Sequence, residues 1–207
     1  MKDNIFEVYM DKYILRTKYL NVFHAITKLQ AKDTPSIIAI DGMSGSGKSY
    51  LADLIEESFD CNVFHMDDFF LPLEMKTEER LAQPGANVHY ERFKKEVLEP
   101  LVKQQTAIYQ PYLCGKWEFG ETVQVRPKKL SIIEGAYSMH PELRDAYDLK
   151  IFLSVDEITQ LKRIRNRSGE EKLKQFMEKW IPLENFYFNS LGIKDLCDIS
   201  INTTDFC

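Results

Sequence analysis

Between Ser36 and Glu56 the chain reads SIIAIDGMSGSGKSYLADLIE. The apolar run Ile37, Ile38, Ala39, Ile40 is followed by Gly42, Gly45 and Gly47, then by Leu51, Leu54, Ile55 and Phe59 at helical spacing. A strand, a glycine turn and a helix in that order bring helix N-terminal amides to one point. Glycine lets that backbone approach an anion closely. Gly42, Gly47, Lys48 and Ser49 fit G-x-x-x-x-G-K-[ST], the phosphate-binding P-loop pattern. In such a loop Lys48 neutralises the β- and γ-phosphates of a nucleoside triphosphate, and the Ser49 hydroxyl ligates Mg²⁺. An ordinary glycine-rich turn is the plain alternative. Four specified positions coincide by chance in on the order of one chain in a hundred of this length. The nucleotide-binding candidates are therefore Gly42, Ser44, Gly45, Ser46, Gly47, Lys48, Ser49 and Tyr50.

Apolar strands ending in acids supply the remaining chemistry. Cys61 to Met66 reads as a strand followed directly by Asp67 and Asp68, and Lys129 to Ile133 as one ending in Glu134-Gly135. Carboxylates just beyond strand ends lie where open α/β sheets keep their ligands. An isolated Asp-Asp pair is more often an acidic turn, but one strand after a P-loop it becomes a catalytic candidate. Glu134 at its strand end fits a carboxylate that orients hydrated Mg²⁺. Leu149 to Ser154 is a further strand, and Asp156 caps a helix carrying Ile158, Leu161 and Ile164. That helix runs into Lys162, Arg163, Arg165 and Arg167. These charges either offset the helix dipole or form a lid whose guanidinium groups arrive on closure. With a P-loop present the lid reading is preferred. Arg163 and Arg167 are then catalytic candidates and Arg165 a nucleotide contact.

Elsewhere, residues from Ile5 to Gln30 place Phe6, Tyr9, Tyr13, Leu20, Phe23 and Ile26 near helical spacing, in one helix or two, expected to pack on the sheet edge or a second subunit. Tyr90 to Lys103 reads as a helix that Pro100 kinks or ends. Thr106–Leu113 and Trp117–Val125 flank Cys114-Gly115-Lys116 as a β-hairpin, which either flaps over a site or decorates the surface. Glu170 to Asn189 reads as helix interrupted by Pro182, and Asp198 to Thr203 as a last strand. Strands alternating with helices predict a mainly parallel α/β sheet covered on both faces.

Composition narrows the partners. A net charge of -5 gives no chain-wide attraction to nucleic acid or anionic lipid, so any anion site is local. Cys61, Cys114, Cys197 and Cys207 form no C-x-x-C pair, and His24, His65, His89 and His140 share no ligand spacing. Neither a zinc site nor a secretory or membrane segment is expected. A cytoplasmic setting follows.

The sequence resembles the uridine kinase and phosphoribulokinase family of P-loop kinases. The matching stretches are Ile40 to Ser49, Met66 to Phe70, Asn87 to Leu98, Tyr112, Ile132 to Gly135, and Leu143 to Arg167. The resemblance implies a P-loop NTPase fold with a hairpin flap over residues 106–125, a helical lid over 163–190 and an N-terminal helical extension over 1–34, all in one domain of residues 1–207. It implies ATP and Mg²⁺ as cofactors, a small-molecule alcohol such as uridine or cytidine as acceptor, and leaves a homo-oligomer open. Asp67 matches the carboxylate that accepts the acceptor's proton near Mg²⁺, with Ser49 and Glu134 on the metal side. Phe70 and Tyr112 fall where nucleoside-facing aromatics stand, and His89 joins them as a substrate candidate. Departures gather on the acceptor side: Phe70 stands for a usual tyrosine, Leu113 follows Tyr112 in place of aspartate, and Asn87-Val88-His89 replaces Asn-Phe-Asp. Pantothenate, a sugar or a sugar phosphate is the alternative acceptor, and a nucleotide-binding regulatory module the alternative function.

Overall fold

The computed structural model describes residues 15–206. Five strands form a parallel sheet in the order β2-β7-β1-β8-β9: β1 (Ser36–Gly42), β2 (Cys61–His65), β7 (Leu130–Glu134), β8 (Leu149–Ser154) and β9 (Ile199–Asn202). The β-branched run of β1 makes it central, since every residue of the strand is buried. Alternation divides its side chains between two cores. Ile37 and Ala39 pack with Phe64, Phe69, Phe93 and Tyr187, whereas Ile38 and Ile40 pack with Val22, Ile26, Leu54 and Ile55. Each fully buried isoleucine contributes about 1.5–3 kcal/mol relative to exposure.

The second core corrects the expected position of the first helix. Through Val22 and Ile26, α1 (Leu20–Gln30) lies on the sheet face beside α2 (Lys48–Glu56), not at the sheet edge. The backbone breaks at Tyr19, as a two-helix reading allows. Phe6, Tyr9 and Tyr13 fall outside the described residues.

Both in-helix prolines are accommodated by one device. A proline ring clashes with the carbonyl four residues back and donates no hydrogen bond. After α3 (Glu78–Leu81), α4 (Tyr90–Phe93) passes through a π turn (Lys94–Leu98) into α5 (Glu99–Val102), which carries Pro100. Likewise α6 (Glu157–Gln175) passes through a π turn (Phe176–Trp180) into α7 (Ile181–Leu191), which carries Pro182. The wider turn places the ring without ending the helix, so Pro182 does not interrupt the segment as expected. The break comes instead at Gly169, whose φ of 80° and ψ of 171° kink α6 in a conformation open to glycine alone.

The hairpin is nested. β3 (Ala107–Tyr109) pairs with β6 (Val123–Val125) and β4 (Tyr112–Leu113) with β5 (Glu118–Phe119), both antiparallel. Pro111 lies between the two ladders, where its missing N–H costs no pairing. Among the described residues no helix is long and apolar enough to cross a membrane.

Candidate active site

Parallel register brings the carboxyl ends of the strands to one level: Ile40 and His65 both lie opposite Glu134, and Gly42 opposite Leu153. There the chain turns sharply. A Cβ on Gly42, at φ 141°, would lie 2.0 Å from the Leu153 carbonyl oxygen, so only glycine can open the loop against β8. The first helical bond of α2 runs from the Leu51 amide to the Gly47 carbonyl at 3.0 Å. The preceding amides of Lys48 and Ser49 therefore face the loop mouth, where an anion would lie. Lys48 Nζ donates to the carbonyls of Gly42 and Met43 at 2.8 and 3.0 Å. Ser49 Oγ donates to the two Glu134 carboxylate oxygens at 3.2 and 3.3 Å, and His65 Nδ1 is 2.6 Å from Glu134 Oε1.

A cavity of about 970 Å³ opens in front of this loop. Its lining includes Ser44, Gly45, Gly47, Lys48, Ser49, Tyr50, Asp67, Phe70, Tyr112, Glu134, Arg163 and Arg167, which gathers most of the sequence candidates in one place. Asp67 lies in the turn Met66–Phe69 after β2. Its carboxylate faces the cavity while protein surrounds it, so desolvation raises its pKa, against the pull of Lys48 and with a further push from Glu134. Gly42 and Ser46 form the loop's rear: Ser46 is buried, and its carbonyl accepts the Thr203 hydroxyl at 2.9 Å.

Three candidates stand elsewhere or are already engaged. Arg163 lines the cavity, but its guanidinium donates to the Thr203 carbonyl at 2.8 Å, the Phe206 carbonyl at 2.6 Å and the Gly45 carbonyl at 3.3 Å. It ties the segment after β9 to the P-loop. Arg165 lies on the outer face of α6, paired with Glu170. His89 caps α4, accepting the Arg92 amide at 3.4 Å, and does not line the cavity. Ile158, expected on the apolar face of α6, is 82% exposed. Asp156 caps the helix in a register that turns Ile164 inward as expected and Gln160 in place of Ile158, and Gln160 Nε2 donates to the Ser44 carbonyl at 2.9 Å.

No protein-family model matches the chain. A uridine kinase from Bacillus pumilus (strain SAFR-032) is 28% identical over 173 residues, which cover 74% of this chain and 80% of that protein. A uridine kinase from Bacillus subtilis (strain 168) is 29% identical over 171 residues, 73% of this chain and 79% of that one. Among solved structures, one described as a "possible uridine kinase" from Bacillus stearothermophilus superposes with a TM-score of 0.66, at 21% identity, over 90% of this chain and 98% of that one. The chain is thus similar to uridine kinases and shares the P-loop kinase fold.

The kinase site holds residues that sequence reasoning missed. Glu184 of α7 is buried at the loop mouth, accepting the Ser44 amide at 2.9 Å and the Ser44 hydroxyl. Its pKa is raised by burial, with Lys48 opposing. Asp41, wholly buried behind the loop, accepts from the amides of Gly42 at 2.7 Å and Met139 at 2.9 Å and from Tyr187 Oη at 2.9 Å. Burial lifts its pKa to about 6 despite these donors. Asn87 and Tyr137 also line the cavity, the latter at a φ of 74°, a strained conformation for a bulky residue. Asp41, Asn87 and Glu184 fell within stretches the sequence had marked, Glu184 in the lid span 163–190, but none was singled out as a site residue. Nothing near Glu184 in the chain announces it.

The donor set suits a hard cation. Ser49 and Glu134 offer oxygen ligands side by side, and Mg²⁺ bound to a nucleotide needs only one or two such protein groups beside phosphates and water.

Proposed function

We propose that this kinase transfers the γ-phosphoryl group of ATP to a hydroxyl of a small alcohol, with a pyrimidine nucleoside such as uridine or cytidine as the acceptor that its relatives favour. One observation carries the reading: Asp67 faces the cavity between the Lys48 and Glu134 end and the wall that holds Phe70 and Tyr112. In the reaction the acceptor oxygen bonds to the γ-phosphorus, the bond to the ADP oxygen breaks, and the hydroxyl proton passes to Asp67. A carboxylate whose pKa is raised by desolvation accepts that proton more readily. Lys48 exchanges its carbonyl partners for phosphate oxygens, and Arg167, exposed at the lid beside the kink, supplies guanidinium charge on closure. Ser49 and Glu134 would hold Mg²⁺, which when bound offsets charge on the β- and γ-phosphates. Arg163 acts through position, fixing the rear of the loop.

Asp67→Asn tests the assignment. Calorimetry should show Mg·ATP binding close to the parent protein, while acceptor-dependent ADP release falls by about 10²–10⁴. Equal loss of both would overturn the role given to Asp67. ADP release that ignores every acceptor would favour a nucleotide-hydrolysing regulatory module.

A further inference from the structure

A two-stranded hairpin standing alone is marginally stable at best in water. The inner ladder of the hairpin here is only Tyr112 opposite Phe119 and Leu113 opposite Glu118. The bonds between its two ladders are internal too: the Gly120 amide donates to the Pro111 carbonyl at 2.8 Å, and Gln110 Nε2 to the Gly120 carbonyl at 3.1 Å. Yet Tyr112 is buried and, with the tip residues 113–117, lines the cavity. A contact from outside the hairpin has to fix it there.

Arg92 of α4 makes that contact. Its guanidinium carbon stands over the Phe119 ring, 4.9 Å from the centroid, and over the Phe69 ring at 4.7 Å. Nη2 donates to the Gln110 carbonyl between the two ladders, and Nε to both oxygens of Glu96, one helical turn on, at 3.0 Å. Nη1 is buried with no hydrogen-bond partner among the described residues, so the group forgoes one bond to lie against the two rings. Each ring leads to the cavity. Phe119 meets Tyr112 edge-on, with centroids 5.3 Å apart. Phe69, wholly buried and edge-on to Phe93 at 5.0 Å, ends the turn Met66–Phe69 that carries Asp67. Arginine suits this place because its planar cation stacks on rings while donating in its own plane, whereas lysine has no plane to stack.

We propose that Arg92 is a positioning residue for phosphoryl transfer: it clasps the hairpin to the turn that bears Asp67, and so sets the gap between Tyr112 and Asp67 in which the acceptor lies. This rests on the kinase reading above. Arg92 itself does not line the cavity, so it acts through Phe119 and Tyr112 and not by touching the acceptor. The clasp makes the hairpin a fixed wall of the site.

Arg92→Met keeps length and apolar bulk while removing the plane and the charge. On the full chain, ADP release is followed with whichever of uridine, cytidine, ribose and pantothenate is turned over. The acceptor KM should rise on the order of tenfold, with kcat and the KM for ATP within about twofold of the parent. Arg92→Lys should match it, because charge without a plane does not bridge the rings. Phe119→Leu, at a half-exposed ring, cuts the clasp without entering the core. It should raise the acceptor KM similarly, and adding Arg92→Met to it should raise that KM little further. Release of the hairpin is read without turnover, from tryptic cleavage after Lys116, whose side chain is 71% exposed at the tip. Cleavage there should quicken on the order of tenfold in each variant. A parent-like acceptor KM in Arg92→Met, parent-like behaviour of Arg92→Lys, additive effects with Phe119→Leu, or an equal rise in both KM values would each overturn the clasp. If the parent releases no acceptor-dependent ADP, the kinase reading falls. Faster cleavage in the variants would then support the clasp by itself, and unchanged cleavage would overturn it.

Discussion

Glu184 Oε2 accepts the Ser44 amide from 140 positions away in sequence, and Tyr187, one turn on, donates to Asp41 behind the same loop. These contacts make α7 a buttress of the P-loop. Tyr187→Phe should remove one of the three donors to a fully buried carboxylate, lowering stability by about 1–2 kcal/mol in urea unfolding with the fold unchanged. An unchanged midpoint would show that the hydroxyl is not what steadies Asp41. Residues of the P-loop were legible because their chemistry is local: four residue types at fixed spacing define the loop. Asp67 and Glu134 were legible because each stands at the carboxyl end of its strand. Glu184 was not, since a lone glutamate in an amphipathic helix looks like surface. Arg163 was read as a free lid charge because nothing local shows that Thr203 and Phe206 will take its donors.

At the scale of elements, periodicity located the strands to within a residue or two, and the capping aspartate placed the start of α6. Proline punctuation was misread, because propensity treats an in-helix proline as an end while a π turn absorbs it. That turn carries Phe176, Lys179 and Trp180, all three of which line the cavity. Pro182→Ala permits regular α-helix through the segment, turning those residues away. Thermal stability should hold or rise, by up to about 1 kcal/mol, while the acceptor KM rises several-fold. A variant with the parent's KM would show that the π turn does not set the acceptor wall.

Across the whole molecule, two buried groups on either side of the turn after β7 give pH responses of opposite sign. Asp41 has its pKa raised by burial to about 6, so its contribution is fully present below the ordinary carboxylate range and is lost as pH rises through 6. His140, stacked on Tyr90 at 3.9 Å and accepting the Glu142 amide, has its pKa lowered by burial to about 4. Its contribution is present above pH 6.5 and is lost as pH falls toward 4. Each shift corresponds to about 3 kcal/mol, so the two largely cancel between pH 4 and 6. Relative to the parent, Asp41→Asn should gain about that much stability from pH 4 to pH 7, and His140→Gln should lose it over the same range. Urea unfolding at four pH values reads both slopes, and parallel curves for variant and parent would refute the pairing. The sheet order itself was not predictable from the strands, because β7 enters between β1 and β2 only once the chain between them has been set aside as hairpin and helix.

The Arg163 clasp joins Gly45 to Thr203 and Phe206, so a loop that follows β1 is finished by residues that follow β9. During synthesis on the ribosome, the nucleotide cradle therefore stays unset while the sheet is already growing. Until β9 has joined the sheet beside β8, Gly45 lacks the guanidinium contact that fixes it, so docking of that strand and setting of the loop are one event.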